Sequence, residues 1–562
     1  MAYKYDPGFF LKEEYISNLG IYKGTGLDDD DFARPVIGIA NSFNEMVPGH
    51  MNLRELAQKV KYGVYRAGGT PMEFGVVSCC DGIATGHCGG NYILPSRENI
   101  CDSIEIEAVA HQLDGLVLIG SCDKIVPGML MAAARLDIPC IFINGGCMAG
   151  GPPFMNMEKA DASTVTEAIG LYQAGKIDHD ELMRLTNVCT PTAGSGQFYG
   201  TANTMCCLAE AMGMTLPGTA AIPATYHERS RAAVRTGEAI VGLVRNNISA
   251  RDIITPESLK NAIMVLMASG GSTNAVLHLC AIGHELGIDA EEVISWIESY
   301  SREIPQIVSI CPASHAIDAE EFYFAGGVPE LMKKLGSRLF SDCMTASGKK
   351  LSDNLAEWKN LYKHRDGIIH NMDDPVSRLA GIAIMRGNLA PATGVSKAAG
   401  IAEEARGFTG KAICFDCEED SLTAIRQGKI HAGHVVVVRY EGPKGGPGMR
   451  EMFKVTKMLH GLGLATSTAV ITDGRFSGTN SGCFVGHISP EAAVGGPIAL
   501  VRDGDEIHID VENGILQLNV PEEELKQRRE AWHYSPVKRH GYLARYSMLA
   551  ESADKGAVLK EE

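Results

Sequence analysis

The sequence predicts an α/β protein: an N-terminal α/β domain built on a mainly parallel sheet, followed by a mainly β C-terminal domain. Three observations predict it. Short apolar runs alternate with amphipathic stretches at the start of the chain. The pattern turns mainly helical from about Asn203 to Ser301. The last third carries strand-like runs punctuated by Asp-Gly and Asn-Gly turns.

Taken in order, Pro35 to Ala40, Phe74 to Val77, Gly115 to Gly120 and Pro139 to Asn144 read as buried strands. Between them, Met51 to Gly68 places Leu53, Leu56, Ala57, Val60 and Val64 on one helical face. Pro127 suits the first turn of a helix running on through Gly128 to Leu136. Such βαβα alternation implies a parallel sheet, with sites at the carboxyl ends of its strands. Glu357 to Asp373 is polar and aromatic without an apolar face, and the boundary is placed there, giving domains 1–370 and 371–562. In the second domain His434 to Tyr440, Ala469 to Thr472, Ile498 to Arg502, Glu506 to Val511 and Ile515 to Val520 read as strands. The tail beyond Ala550 is small and charged, and is expected to be loose.

A chain of 562 residues exceeds what one core sustains, which is roughly 250–300 residues. The formal net charge of −17 argues against nucleic acid as a partner, since phosphates need clustered Lys and Arg. No charged-then-apolar leader opens the sequence and no apolar run is long enough for a membrane span, so a cytoplasmic location without a membrane partner is expected. Sixteen cysteines then read as buried thiols or metal ligands and not as a disulfide frame.

Chemistry gathers at strand ends. Ser78-Cys79-Cys80-Asp81-Gly82, Gly120-Ser121-Cys122-Asp123-Lys124 and Thr472-Asp473-Gly474-Arg475-Phe476-Ser477-Gly478 each follow an apolar run. A glycine-rich stretch spans Tyr440 to Met452, without the spacing of a P-loop. Hard divalent ions take carboxylate oxygens, which Asp81, Asp123 and Glu451 could supply. Removing water from a hydroxy acid needs an acceptor for the α-proton, an electron sink at the carboxylate and a Lewis acid on the departing hydroxyl.

At these residues the sequence resembles the dihydroxy-acid dehydratase family, which includes the 6-phosphogluconate and sugar-acid dehydratases. The resemblance runs from about Pro35 to Tyr546, on the strings GSCDKIVPGMLMA from Gly120, GTANTM from Gly200, GGSTNAVLHL from Gly270, RGNLAP from Arg386, EGPKGGPGMREM from Glu441 and TDGRFSG from Thr472. It implies a hydro-lyase that converts a 2,3-dihydroxy carboxylic acid into a 2-keto-3-deoxy acid. It implies Mg²⁺ on Asp81, Asp123 and Glu451, with Lys124 as a carbamylated further ligand, and Ser477 as the general base. It implies an iron–sulfur cluster on Cys122, a β-barrel-like C-terminal domain, and a homodimer or homotetramer.

The chain departs from the family at two usual cluster cysteines, which are Gly49 and Gly196 here. Either other thiols serve, with Cys79, Cys80, Cys88 and Cys189 in the relevant segments, or no cluster is bound. The stretch GTANTMCCLAEAMGM is closer to the sugar-acid enzymes, SCCDGIATGH to the dihydroxy-acid enzyme, and Leu389 to Lys397 departs from both. Two competing readings stand beside the enzyme: a degenerate member that binds a metabolite without turnover, and a phosphate or nucleotide binder using the loop Gly445 to Gly448.

Overall fold

The computed structural model describes residues 5–155, 159–313, 317–362, 365–476 and 482–560. The N-terminal sheet has four parallel strands in the order β2-β1-β3-β4: β1 Val36–Asn41, β2 Thr70–Gly75, β3 Gly115–Ile119 and β4 Cys140–Ile143. β1, β3 and β4 are buried along their whole length, which is why they read as continuous apolar runs. Helix Leu53–Arg66 crosses between β1 and β2 with Leu53, Leu56, Ala57, Val60 and Val64 inward. It packs closely on helix His227–Arg245 at Gly63 and Gly237, where a Cβ on Gly63 would lie 2.0 Å from the Val234 carbonyl oxygen. A helical layer follows, with Thr201–Ala211, Pro256–Ser269, Asn274–Glu285 and Ala290–Glu303 on the same core.

The C-terminal strands close into a barrel in the order β10-β6-β5-β12-β11-β7-β8-β9. They are β5 Ala383–Gly387, β6 Ala390–Ser396, β7 Gly407–Phe415, β8 His434–Val438, β9 Ala469–Thr472, β10 Cys483–Ser489, β11 Glu506–Asp510 and β12 Ile515–Leu518. Val435, Val437, Ile471, Val485, Ile507, Ile509 and Leu516 fill one buried cluster, while Val436, Val438 and Val470 fill a second against helix Phe453–Gly461.

Two expectations are corrected. Ile498 to Arg502 is not a strand: Pro497–Leu500 is a 3-10 turn, started by a proline that supplies no ladder N–H. The tail is not loose as far as residue 560. Glu551 N–H donates to the Val558 carbonyl, Ala557 is fully buried, and Arg97 of the N-terminal domain donates to the carbonyls of Gly556 (2.8 Å) and Ala557 (3.2 Å). Among the described residues no helix is long and apolar enough to cross a membrane.

Candidate functional site

The carboxyl ends of β2 and β3 deliver Asp81 and the Cys122-Asp123-Lys124 triplet. Asp81 opens the short helix Asp81–Ala84, and Lys124 directly precedes helix Ile125–Leu136. Glu451 comes from the other domain, at the end of the glycine-rich stretch that follows β8. A single backbone bridge pairs Glu451 with Arg475, the segment after β9, and turns both side chains to the same side.

Asp81, Asp123 and Glu451 each offer a carboxylate oxygen, and these oxygens lie within 4.8 Å of one another. Lys124 Nζ stands among them, 2.8 Å from Asp81 Oδ2, 3.5 Å from Glu451 Oε1 and 3.6 Å from Asp123 Oδ2. Arg475 Nη1 donates to Glu451 Oε1 at 2.7 Å and lies 3.8 Å from Asp81 Oδ2. Asn274 Nδ2 adds a donor to Glu451 Oε1 at 2.6 Å. Burial pushes the Asp81 carboxyl upward, but the Lys124 ammonium and the Arg475 guanidinium outweigh it and hold it at about 2. Burial, reinforced by the Asp81 charge, drives Glu451 the other way, to about 7. Three acidic side chains here face two cations, Lys124 and Arg475.

A cavity of about 390 Å³ opens beside this cage. Asp81, Asp123 and Glu451 form one end; Ile83, Met148, Phe198 and Phe453 supply apolar wall, with Thr85, Ser163, Thr166 and Thr201 as hydroxyls. The first turns of helices Ala162–Gln173 and Phe453–Gly461 border it.

Of the residues picked out in the sequence, Asp81, Asp123, Lys124 and Glu451 meet at this point. Cys122 lines the same cavity, and Ser477 lies outside the described residues. The last described residue before it, Phe476, accepts the Thr273 hydroxyl at its carbonyl at 3.2 Å. Gly49 and Gly196 also line the cavity. A Cβ on Gly196 would meet the Phe198 ring at 2.8 Å. Among the four alternative cysteines only Cys80 reaches the cavity wall, which Cys122 also lines. Cys88 is exposed, Cys79 half-buried, and Cys189 buried outside the wall.

Sequence reasoning gave no role to Arg475, Asn274 or His50, although the first two lie inside recognised strings. His50 is fully buried. Its Nδ1–H donates to the Ser42 carbonyl at 2.6 Å, and its Nε2 accepts the Cys122 N–H at 3.2 Å, which ties the catalytic-side loop to β1. Asp473 is a fastener, with its carboxylate accepting the N–H groups of Tyr440, Glu441 and Ala492. The glycine-rich loop is not a phosphate cradle. Glu491 already takes the N–H groups of Lys444 and Gly445, and its carboxylate would repel an anion. Gly448 adopts φ +86°, and a Cβ there would lie 2.1 Å from the Asn91 carbonyl oxygen, so glycine is required for contact between the domains.

Residues 34–354 match the family described as dihydroxy-acid/6-phosphogluconate dehydratase N-terminal, and residues 367–557 its C-terminal counterpart. A dihydroxy-acid dehydratase of Acetivibrio thermocellus is 46% identical over 552 residues, covering 98% of each chain. One of Pyrococcus furiosus is 47% identical over 97% of this chain and 98% of its own. One of Caldanaerobacter subterraneus subsp. tengcongensis is 48% identical over 95% and 96%. With its α/β first domain, its barrel and its carboxylate cage between them, the chain belongs to the dihydroxy-acid/6-phosphogluconate dehydratase family and is a hydro-lyase.

Proposed function

We propose that the chain dehydrates a short 2,3-dihydroxy carboxylic acid to a 2-keto-3-deoxy acid at the cage between its domains, in the cytoplasm and as a homodimer or homotetramer. The observation that carries this is the meeting of Asp81, Asp123 and Glu451 at the end of a cavity with apolar walls. Ile83, Met148, Phe198 and Phe453 offer apolar wall to the alkyl group of a branched dihydroxy acid. The relatives named dihydroxy-acid dehydratase support the same choice. Residues 1–370 and 371–562 are taken as the two domains.

The residues present fit Mg²⁺: three hard oxygen donors converge, and a cation already stands among them. Bound there, Mg²⁺ would supply a Lewis acid that withdraws charge from the substrate carboxylate and 2-hydroxyl. Lys124 has two forms compatible with the cage. An ammonium carries one positive charge; a carbamate with a divalent ion carries the same net charge, so the carboxylates are balanced either way. Arg475 and Asn274 fix Glu451 Oε1 in place. Ser477 is assigned as the acceptor, in its alkoxide form, of the C2 proton; that proton passes to the departing 3-hydroxyl, which leaves as water, and the resulting enol tautomerises to the 2-keto acid. Ser163, Thr166 and Thr201 offer hydroxyls to orient the substrate. A cluster on three cysteines does not fit, because only Cys80 and Cys122 present thiols to the cavity among the described residues.

The test is a panel of 2,3-dihydroxy-isovalerate and C5–C6 aldonates, assayed for 2-keto acid with Mg²⁺. Turnover of the branched substrate is expected. Turnover of aldonates alone would overturn the substrate assignment, and no turnover of any would favour a metabolite-binding protein without activity.

A further inference from the structure

Two phenyl rings, Phe198 from the first domain and Phe453 from the second, border the cavity beside the carboxylates. Both are half-buried, and neither joins a hydrophobic core among the described residues. Phe453 opens helix Phe453–Gly461, directly after the segment that carries Glu451. Phe198 lies in no helix or strand. The next residue, Tyr199, is buried in the N-terminal core. The chain thus buries the ring with the polar tip and leaves the wholly apolar ring against the cavity.

The sequence makes room for that ring. A Cβ on Gly196 would lie 2.8 Å from Phe198 Cε1 and 3.0 Å from its Cζ, and a Cβ on Gly200 would lie 2.6 Å from Cε2 and 3.0 Å from Cδ2. The two glycines therefore flank opposite edges of one ring. Neither adopts a positive φ, so the backbone does not require glycine at either position. What excludes a side chain at both is the ring itself. The main chain beneath it is tied down. Asn203 Nδ2 donates to the carbonyls of Gly196 (2.6 Å) and Phe198 (2.8 Å), and the Ser195 hydroxyl donates to Asn203 Oδ1 at 2.8 Å. The Tyr199 N–H donates to the Cys311 carbonyl at 2.6 Å. With its backbone fixed and both edges hemmed in, the ring can yield only toward the cavity.

A ring held in this way is a rigid wall against any apolar group that enters. We propose that Phe198 sets the size limit for the alkyl group at C3 of the substrate: short groups fit beside the ring and longer ones meet it. This rests on the reading of the cavity as the substrate site. One methylene too many in an apolar pocket is worth about 10–200-fold in discrimination. That contrast holds only where the wall does not give, which the paired glycines and the tied backbone ensure.

The experiment uses the full chain with Mg²⁺ and measures kcat/KM for 2,3-dihydroxy-3-methyl acids whose remaining C3 group is methyl, ethyl or propyl. The wild type is expected to lose about tenfold or more from methyl to propyl. Phe198→Ala should erase that loss; Phe198→Leu, which should reduce it, serves if the alanine variant does not fold. Gly196→Ala should steepen the loss, because the new Cβ drives the ring into the cavity. Affinities for the matching 2-hydroxy-3-methyl acids, which lack the departing 3-hydroxyl, are read by calorimetry in the same proteins and should follow the same order. A wild-type series without a slope, or a wild-type slope in the Phe198 variants, overturns the size limit. If no dihydroxy acid is turned over, the proposed function falls, and the 2-hydroxy-acid series decides the role of the ring by the same criterion.

Discussion

Arg475 Nη1 donates to Glu451 Oε1 at 2.7 Å, and neither side chain is reached appreciably by water. The guanidinium also donates through Nε to the Met449 carbonyl at 2.6 Å. It is thus a fixed part of the wall and not a mobile counter-ion. It offsets acid repulsion in a cage where one ammonium faces three carboxylates.

Arg475→Met should therefore destabilise the protein by about 3–5 kcal/mol, because it leaves a buried carboxylate without its partner. Urea unfolding without divalent ions measures the loss. Saturating Mg²⁺ should restore part of it, since the ion supplies the missing positive charge. A variant as stable as wild type in both conditions would show that Arg475 does not balance the cage.

Asp123→Ala and Ser477→Ala should fail differently. Asp123→Ala removes an oxygen from the trio and should weaken Mg²⁺ binding about tenfold or more, read by calorimetry. Ser477→Ala should abolish turnover while fold and Mg²⁺ affinity stay at wild-type values. Near-normal turnover in that variant would remove the serine as base.

His50 gives the protein an acid-sensitive joint. Burial holds its imidazole down at about 4, against the Ser42 hydrogen bond that favours the charged form. Between that value and the ordinary 6.5 the unfolded chain binds the proton and the folded one does not. Stability contributed by neutral His50 is complete above pH 6.5 and falls as pH drops through that window, by about 3 kcal/mol in all. His50→Gln should flatten that part of the stability curve, measured by urea unfolding from pH 7 to pH 4.

Lys397, just past β6, is buried, and among the described residues nothing pairs with it. Burial lowers its ammonium to about 8, with the nearby Lys457 adding to the effect. The folded state therefore carries a penalty below pH 8 that is relieved as pH rises toward 10.5. Lys397→Met should stabilise the protein by about 2–3 kcal/mol at pH 7, with a smaller gain at pH 9.5. Equal gains at both pH values would mean that packing and not charge sets the effect.

β1, β3 and β4 were legible because they are buried on both faces and read as unbroken apolar runs; β2 runs Thr70–Gly75 with its later residues partly exposed, so the reading of Phe74 to Val77 as a strand caught only its end. β5, β6, β7 and β10 were not. β6 is Ala-Pro-Ala-Thr-Gly-Val-Ser, small and interrupted by proline, and becomes a strand through partners on either side in the closed barrel. Asp81, Asp123 and Glu451 could be named from the sequence because each sits in a distinctive string. Arg475 and Asn274 lie in equally distinctive strings, but their tasks arise from a pairing between segments far apart in sequence. Cys80 was one of four candidate thiols, and only the packing of two loops separates it from Cys79 beside it.

The docked tail has a consequence for how the molecule comes into being. Arg97 is completely enclosed in the first domain, yet two of the carbonyls that satisfy it belong to Gly556 and Ala557. During synthesis those residues emerge 459 and 460 positions after Arg97. Until then the first domain holds a guanidinium lacking part of its shell, and a chain cut before Gly556 keeps that defect permanently. The stability of the opening third is thereby tied to a segment made much later.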